Sequence, residues 1–417
     1  MQKYYISKYI YNLIKKKLNY IYNIMGIKPF TKVFNHLGEI KYKDLKGKNI
    51  VIDASVEIYR AALGMKIGEQ LKNSFGVPTS HINTILLGVI LKLKSANANQ
   101  YWVFDHNQKI DDGEVFHNPL KQLELKKRRD RRETASKNLA NLQEKYDKLT
   151  VTKKKSSSDL DDSSDLSDFS DVDEIEQYHS NSKVDIISPD LHKSNKNSDK
   201  IETEKILDLK KDIQKQEKMA FKLESFYVED VIFMLNSLDI PWVECPAGFE
   251  SEQICAISTN KKDIFGVKMD YVLSVDADAL IFGAKKWIKR DIKKKKFFLY
   301  DLNTVLQEHN LSYDDLVKIA VILGCDFAPK TPRVAEKTVL KKYKDVKLTD
   351  AQNNAVQLFK KHLTPDVKIN VNNLDNNSFS DENKYKQLLD WLELVKNYNR
   401  DRIKKQFHKQ SLFKNIV

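Results

Sequence analysis

Three short apolar runs that end in an acid constrain this chain more than anything else in it: NIVID at Asn49–Asp53, YWVFD at Tyr101–Asp105 and DYVLSVD at Asp270–Asp276. Near-continuous β-branched and aromatic runs of this length suit strands buried on both faces, the situation of a parallel sheet. Helical periodicity separates them, for instance over Ile82–Lys94 and Leu302–His309. The pattern predicts an α/β fold, a mainly parallel twisted sheet with crossover helices. A length of 417 residues with 41% hydrophobic content supplies a sizeable core, for about two or three domains or one domain with appendages.

Charge divides the chain. The net charge is +13, yet Ser156–Asp190 holds 11 acids against the single Lys183, so the remainder carries about +23. A basic excess of this size favours a polyanionic partner. The Ser/Asp-rich tract, through about residue 200, has little to bury and is expected to be disordered. It separates two charged helical stretches, Pro119–Lys148 and Ile201–Lys222, the second running on into Ser225–Leu238. A further helix is expected around Tyr385–Tyr398. Three cysteines, Cys245, Cys255 and Cys325, are too few and too dispersed for a disulfide framework or a zinc site. No apolar run reaches the roughly 20 residues of a membrane span. The reading is an intracellular, soluble protein.

The open α/β rule locates function at the carboxyl ends of strands, where the acids gather. Asp53 and Asp105 end two runs, Glu250 and Glu252 follow IPWVECP, and Asp276 and Asp278 follow the third run. Asp326 comes after the apolar run Val317–Leu323, read as one more strand end. One such Asp is more often a turn or helix cap, and D-x-D also occurs in metal-holding phosphatases and glycosyltransferases. Seven in register with strand ends imply one cleft. Crowded anions raise one another's pKa unless cations neutralise them. An all-oxygen ligand set selects hard cations, Mg²⁺ with Mn²⁺ as substitute. Two such ions serve phosphodiester hydrolysis.

The ordered set Met25-Gly26-Ile27, VIDAS, VFD, E-x-E, S-x-D-x-D-x-L-x-F-G and L-G-C-D-F resembles the XPG/flap-endonuclease superfamily over most of Met25–Leu340. The resemblance implies a PIN-like, resolvase-like nuclease core with a helical arch and a helix–hairpin–helix-type module. It makes Asp53, Asp105, Glu250, Glu252, Asp276, Asp278 and Asp326 the ligands of two Mg²⁺ ions. The Glu pair sits in PAGFESE, two residues longer than the family's proline-x-Glu-x-Glu. Tyr59, six residues after Asp53, matches an aromatic that stacks a nucleobase; as a core tyrosine it would only pack. The arch helix from Pro119 supplies Lys121 and Arg128 as catalytic cations on one helical face, with Arg132 a phosphate contact one turn on. The same KKRRDRR segment also reads as a solvated face or a nuclear-import patch.

The helix–hairpin–helix turn departs from the family. In Lys330-Thr-Pro-Arg-Val-Ala-Glu-Lys337 both glycines are replaced, by Arg333 and Ala335, while Lys337 remains. That puts in doubt the K⁺ ion such a turn holds, although Arg333 can contact phosphate itself. Domain limits follow: a basic leader 1–24 upstream of the expected functional start at Met25, a nuclease region 25–150, the acidic spacer 151–200, a second nuclease region with the hairpin module 201–345, and a helical tail 346–417. The spacer is a linker or a DNA mimic tuned by phosphorylation at Ser156, Ser158 or Ser170. The end, QSLFKNIV, lacks the paired aromatics of a sliding-clamp peptide.

The expected activity is a metal-dependent 5′ nuclease acting as a monomer on DNA flaps or junctions, in the nucleus or wherever DNA is replicated. The alternatives are a 5′→3′ exonuclease, an RNA-degrading relative, and a DNA-binding scaffold whose catalysis has decayed.

Overall fold

The computed structural model describes residues 30–64, 72–106, 119–155, 196–246, 248–261, 264–291, 295–361, 369–373 and 382–409; side chains at 64, 119–124, 151–155, 196–204 and 408–409 are not included. The leader, the Met-Gly-Ile motif, most of the acidic spacer with its three serines, and the terminal peptide lie outside these residues. Among the described residues no helix is long and apolar enough to cross a membrane.

The strands are β1 (Gly38–Lys41), β2 (Asn49–Asp53), β3 (Asn99–Phe104), β4 (Trp242–Glu244), β5 (Tyr271–Leu273), β6 (Lys286–Asp291), β7 (Lys296–Asp301) and β8 (Val371–Asn372). They form one eight-stranded sheet in the order β1-β7-β6-β5-β2-β3-β4-β8. The central pairings β6–β5–β2–β3–β4 are all parallel. β7, β1 and β8 join antiparallel at the two sides. Register explains why the runs lack polar alternation. Val51, Tyr101 and Val272 are partners across β2, β3 and β5, and all face one core; Ile52, Trp102 and Leu273, one residue on, are just as buried on the other face.

The labelled helices are α1 (Ala54–Gly64), α2 (Ser80–Ile85, continuing through a π-type turn at Leu86–Ile90 into Leu91–Ser95), α3 (Pro119–Lys155), α4 (Lys196–Ala220), α5 (Ser225–Ser237), α6 (Ser251–Asn260), α7 (Tyr313–Leu323), α8 (Asp350–Phe359) and α9 (Glu382–Asp390). One compact unit runs up to Asp130 and resumes at Lys222; it contains the sheet. The other, Arg131–Phe221, contains most of α3 and α4. Its described residues bury little: Ala135 and Ile213 are the buried apolar side chains, as expected of helices this rich in charge.

Two expectations need correction. Val317–Leu323 is no strand but the second half of α7, whose Ser312 caps its N-terminus in a reciprocal box with Asp315. A seven-residue apolar run is ambiguous between the two when the helix is buried on nearly all sides, and Leu316–Leu323 is buried except at Lys318. Asp326 therefore follows a helix. The helix expected to run unbroken from Ile201 past Lys222 stops at Ala220 and restarts at Ser225.

The C-terminal segment is part of the sheet-bearing unit. β8 adds an edge strand to β4, with Val371 opposite Val243. Asn373 Nδ2 donates to Asn236 Oδ1 (2.9 Å) and Ile240 O (3.2 Å). Beyond α9, Tyr398 donates its hydroxyl to Thr79 O at 2.8 Å. Lys396 Nζ meets Asp230 Oδ1 at 2.7 Å, and the other oxygen of Asp230 lies 2.9 Å from His81 Nε2, all three side chains buried. Removing one partner of a buried pair strands the other charge away from water. Asp230→Ala should therefore cost about 3–5 kcal/mol, read as a lowered urea midpoint at unchanged m-value.

Candidate metal centre

Strand order sets where a site forms. The chain steps from β2 to β3 to β4 in one direction, then returns to place β5 on the other side of β2 and β6 beyond it. This reversal opens a crevice at the carboxyl ends of β2 and β5, the place where open α/β sheets bind ligands. Asp53 is the last residue of β2, Asp105 follows β3, and Asp276 stands three residues beyond β5.

One half of the site is made by Asp53, Asp105, Glu250 and Glu252. Glu250 is the N-cap residue of α6, yet its side chain makes no capping hydrogen bond. One oxygen from each of Asp105, Glu250 and Glu252 lies within 4.8 Å of the others. Ser251, between the two glutamates, organises the group: its backbone N–H donates to Asp105 Oδ1 at 3.2 Å, and its hydroxyl lies 3.0 Å from Asp53 Oδ1 and 3.1 Å from Glu252 Oε2. Ser274 reaches Asp53 Oδ2 at 3.3 Å, accepts the Asp276 N–H at 3.1 Å, and has its carbonyl held by the Trp287 indole at 2.9 Å.

The other half is Asp276, Asp278 and Asp326. Asp276 Oδ1 accepts the Asp278 N–H at 3.2 Å. Asp326 follows a reversal at Gly324, whose φ of +92° and close approach to Lys330 require glycine: an added Cβ would stand 2.9 Å from Lys330 Cβ and 3.0 Å from its backbone N. Arg128, on the first part of α3, makes an ion pair with Asp326.

Electrostatics joins the halves. Burial, then Glu252 and Asp105, push the Asp53 carboxyl well above the usual range. Burial, then Asp276, Asp326 and Glu252, do the same to Asp278, and burial with Asp326 raises Asp276. Glu252 thus acts on acids of both halves. Buried anions that raise one another this way are stabilised by added cations. An all-carboxylate donor set fits hard divalent ions.

The structure therefore brings together all seven expected acids and Arg128. Tyr59 lies on α1 and is partly exposed. The side chain of Lys121 is outside the described residues, and Arg132 belongs to the Arg131–Phe221 unit. Arg333 and Lys337 are exposed in the turn after Asp326. Arg333 has φ +61°, whereas Ala335 keeps negative φ, so one of the two substitutions still takes a conformation that glycine adopts without cost. Sequence reasoning assigned no role to Ser251 and Ser274, although both lie inside the quoted motifs, E-S-E and S-V-D-A-D. Small hydroxyls between acids were the available signal.

The raised carboxyls imply a pH dependence of the metal-free fold. A carboxyl with a raised folded pKa contributes stability that is fully present below its unfolded value of about 3.9 and lost as pH rises through the folded value. With EDTA present, the melting temperature should be higher at pH 6 than at pH 8. Asp53→Asn should raise the pH 8 value and narrow the gap. Arg333→Gly should raise stability by about 1 kcal/mol through relief of left-handed strain, measured by urea unfolding.

Comparison with known proteins agrees with this geometry. Residues 25–135 match the family model of the XPG N-terminal domain, and residues 239–326 that of the XPG I-region. The seven acids and Arg128 all fall inside the two stretches, while 136–238 lies between them. Flap endonuclease 1 of Glycine max is 25% identical over 328 residues, 76% of this chain and 65% of its own. Flap endonuclease 1 of Methanocaldococcus jannaschii is 24% identical over 293 residues, 70% of this chain and 66% of its own. The chain thus aligns with just under two thirds of the length of these relatives. The solved flap endonuclease-1 from Methanococcus jannaschii superposes with a TM-score of 0.55 at 21% identity, covering 91% of this chain and 96% of that one. The catalytic core of Rad2, solved with a DNA substrate, gives 0.51 at 12% identity, covering 92% and 99%. These two likenesses concern the fold. Both regions of the XPG/flap-endonuclease superfamily are thus matched in this chain, in order and around one acid-lined crevice.

Proposed function

We propose that this protein is a Mg²⁺-dependent, structure-specific 5′ nuclease that hydrolyses phosphodiester bonds where single- and double-stranded DNA meet. The observation that carries the reading is the convergence of seven carboxylates from five chain segments, with Asp53, Asp276 and Asp278 raised by burial and by neighbouring acids and Arg128 paired to Asp326. Asp53, Asp105, Glu250 and Glu252 would hold one cation, and Asp276, Asp278 and Asp326 a second, with Mn²⁺ able to replace Mg²⁺. Such ions supply an activated water and stabilise the leaving oxygen of an in-line displacement.

The remaining residues act on the substrate. Arg128 pairs with Asp326; with a cation bound at the acids, its guanidinium would steady the scissile phosphate and the charge that grows on its oxygens. Lys121, seven residues earlier on α3, has the same assignment. Tyr59 offers a partly exposed ring for stacking the terminal base pair. Arg333 and Lys337 would grip duplex phosphates, so recognition rests on backbone and junction shape rather than base edges. The names of the relatives support the flap as substrate, and the net charge of +13 supports a polyanion.

Cleavage of 5′-flap, nicked-duplex, blunt-duplex and single-stranded RNA substrates, with Mg²⁺ and with EDTA, tests the reading. Metal-dependent cutting at the flap base is expected. Cutting of free DNA ends alone would identify an exonuclease, cutting of RNA alone a different substrate class, and no cutting a scaffold. Asp276→Ala and Asp278→Ala should abolish cleavage and keep DNA binding. Arg128→Ala should lower the single-turnover rate about 100-fold or more with a smaller effect on affinity.

A further inference from the structure

The loop that delivers the glutamate pair is where this chain exceeds the family pattern, with Ala247-Gly248-Phe249 between Pro246 and Glu250. The extra length is built into a tight turn. Phe249 N–H donates to Pro246 O at 3.1 Å, and Gly248 has φ +79°, the conformation that type II turns reserve for glycine at their third position. Phe249 packs partly against the main core. The turn leads directly into Glu250.

A residue more than a hundred positions away braces this turn. Lys361, two residues past α8, donates from Nζ to Gly248 O at 3.4 Å and sets the same ammonium 4.4 Å from the centre of the Phe249 ring. Its own carbonyl accepts a hydrogen bond from Gln253 Nε2 at 2.8 Å. Gln253 is buried on α6, directly after Glu252. Lys361 therefore touches the two residues before Glu250 and the one after Glu252, bracketing both ligands from outside the site. An ammonium over an aromatic face gains from the ring's negative potential, and the carbonyl contact fixes the first turn of α6.

We propose that Lys361 is a positioning residue that holds Glu250 and Glu252 at the metal centre through the lengthened turn. The proposal rests on the reading of these glutamates as metal ligands. Outer partners of metal ligands typically change affinity about 10–100-fold when removed, and a contact by one exposed ammonium belongs at the lower end.

The test is Mn²⁺ binding to the full chain, followed by electron paramagnetic resonance of the free ion, for wild type, Lys361→Met and Lys361→Arg. Lys361→Met keeps the aliphatic stem and removes the charge; about tenfold weaker binding is expected. Lys361→Arg should restore it, because a guanidinium also stacks on aromatic rings. Half-saturating Mn²⁺ in flap cleavage should rise by the same factor, with the rate at saturating Mn²⁺ within about twofold of wild type. The melting temperature in EDTA should not change. Unchanged Mn²⁺ affinity in Lys361→Met overturns the proposal, as does a lowered melting temperature in EDTA that Lys361→Arg restores without restoring affinity. A wild-type protein that binds Mn²⁺ but cuts no substrate overturns the nuclease reading alone; weakened binding in Lys361→Met would then still support the positioning role. A wild-type protein that binds no Mn²⁺ overturns both.

Discussion

Mutual repulsion among buried carboxylates governs this structure. Asp53, Asp276 and Asp278 are almost wholly withdrawn from water, and each is pushed toward its neutral form by burial and by neighbouring acids. A fold can carry such a cluster only if the surrounding core is stable enough to hold it. Here the sheet is buried on both faces, with Val51 and Ile52 fully covered in opposite directions. The cluster sits where strand order reverses, so that segments distant in sequence deliver their acids to one crevice. Among the described residues, the Ser251 and Ser274 hydroxyls and the backbone N–H groups of Ser251, Asp278 and Val56 soften the repulsion. Hard cations are the natural complement.

Other buried charges in the same unit show the contrast. Glu57, one turn after Asp53 on α1, is as buried as Asp53, but its Oε2 meets both Arg60 and Arg290, and Arg290 also donates to Gly88 O. Asp230 is shared by Lys396 and His81. These acids have cations of the chain's own and tie elements together: α1 to β6 and α2 in one case, the C-terminal segment to α5 and α2 in the other. The acids of the crevice crowd one another instead, with Arg128 paired to Asp326 and the Lys289 ammonium favouring the ionised form of Asp276. Burial is common to all three groups; how many acids share each built-in cation separates structural charge from chemical charge.

The departures from the family pattern are absorbed locally. Arg333 takes a positive φ, trading backbone strain for an exposed guanidinium. The longer turn before Glu250 is met by Lys361 from beyond α8. The residues between the two XPG regions include most of the separate unit Arg131–Phe221, and the acids stay assembled although the chain between Asp105 and Glu250 is long.

The parallel sheet and the seven acids were legible in sequence. NIVID, YWVFD and YVL owe their composition to burial on both faces, and a run of β-branched and aromatic residues between breakers has few other solutions. Acids placed at the ends of such runs inherit the geometry of the sheet. Asp326 was found by its motif even though the element before it was misread, because an apolar run buried on nearly all sides carries no period that separates helix from strand. Tertiary structure alone decided the rest. That Arg128 meets Asp326, that Ser251 and Ser274 bond to Asp53, that β8 closes the β4 edge, and that Lys361 reaches Gly248 and Phe249 all depend on contacts across tens to hundreds of residues. Local sequence encodes which faces are apolar and where charge sits; which charge meets which is set only when the sheet has ordered its strands.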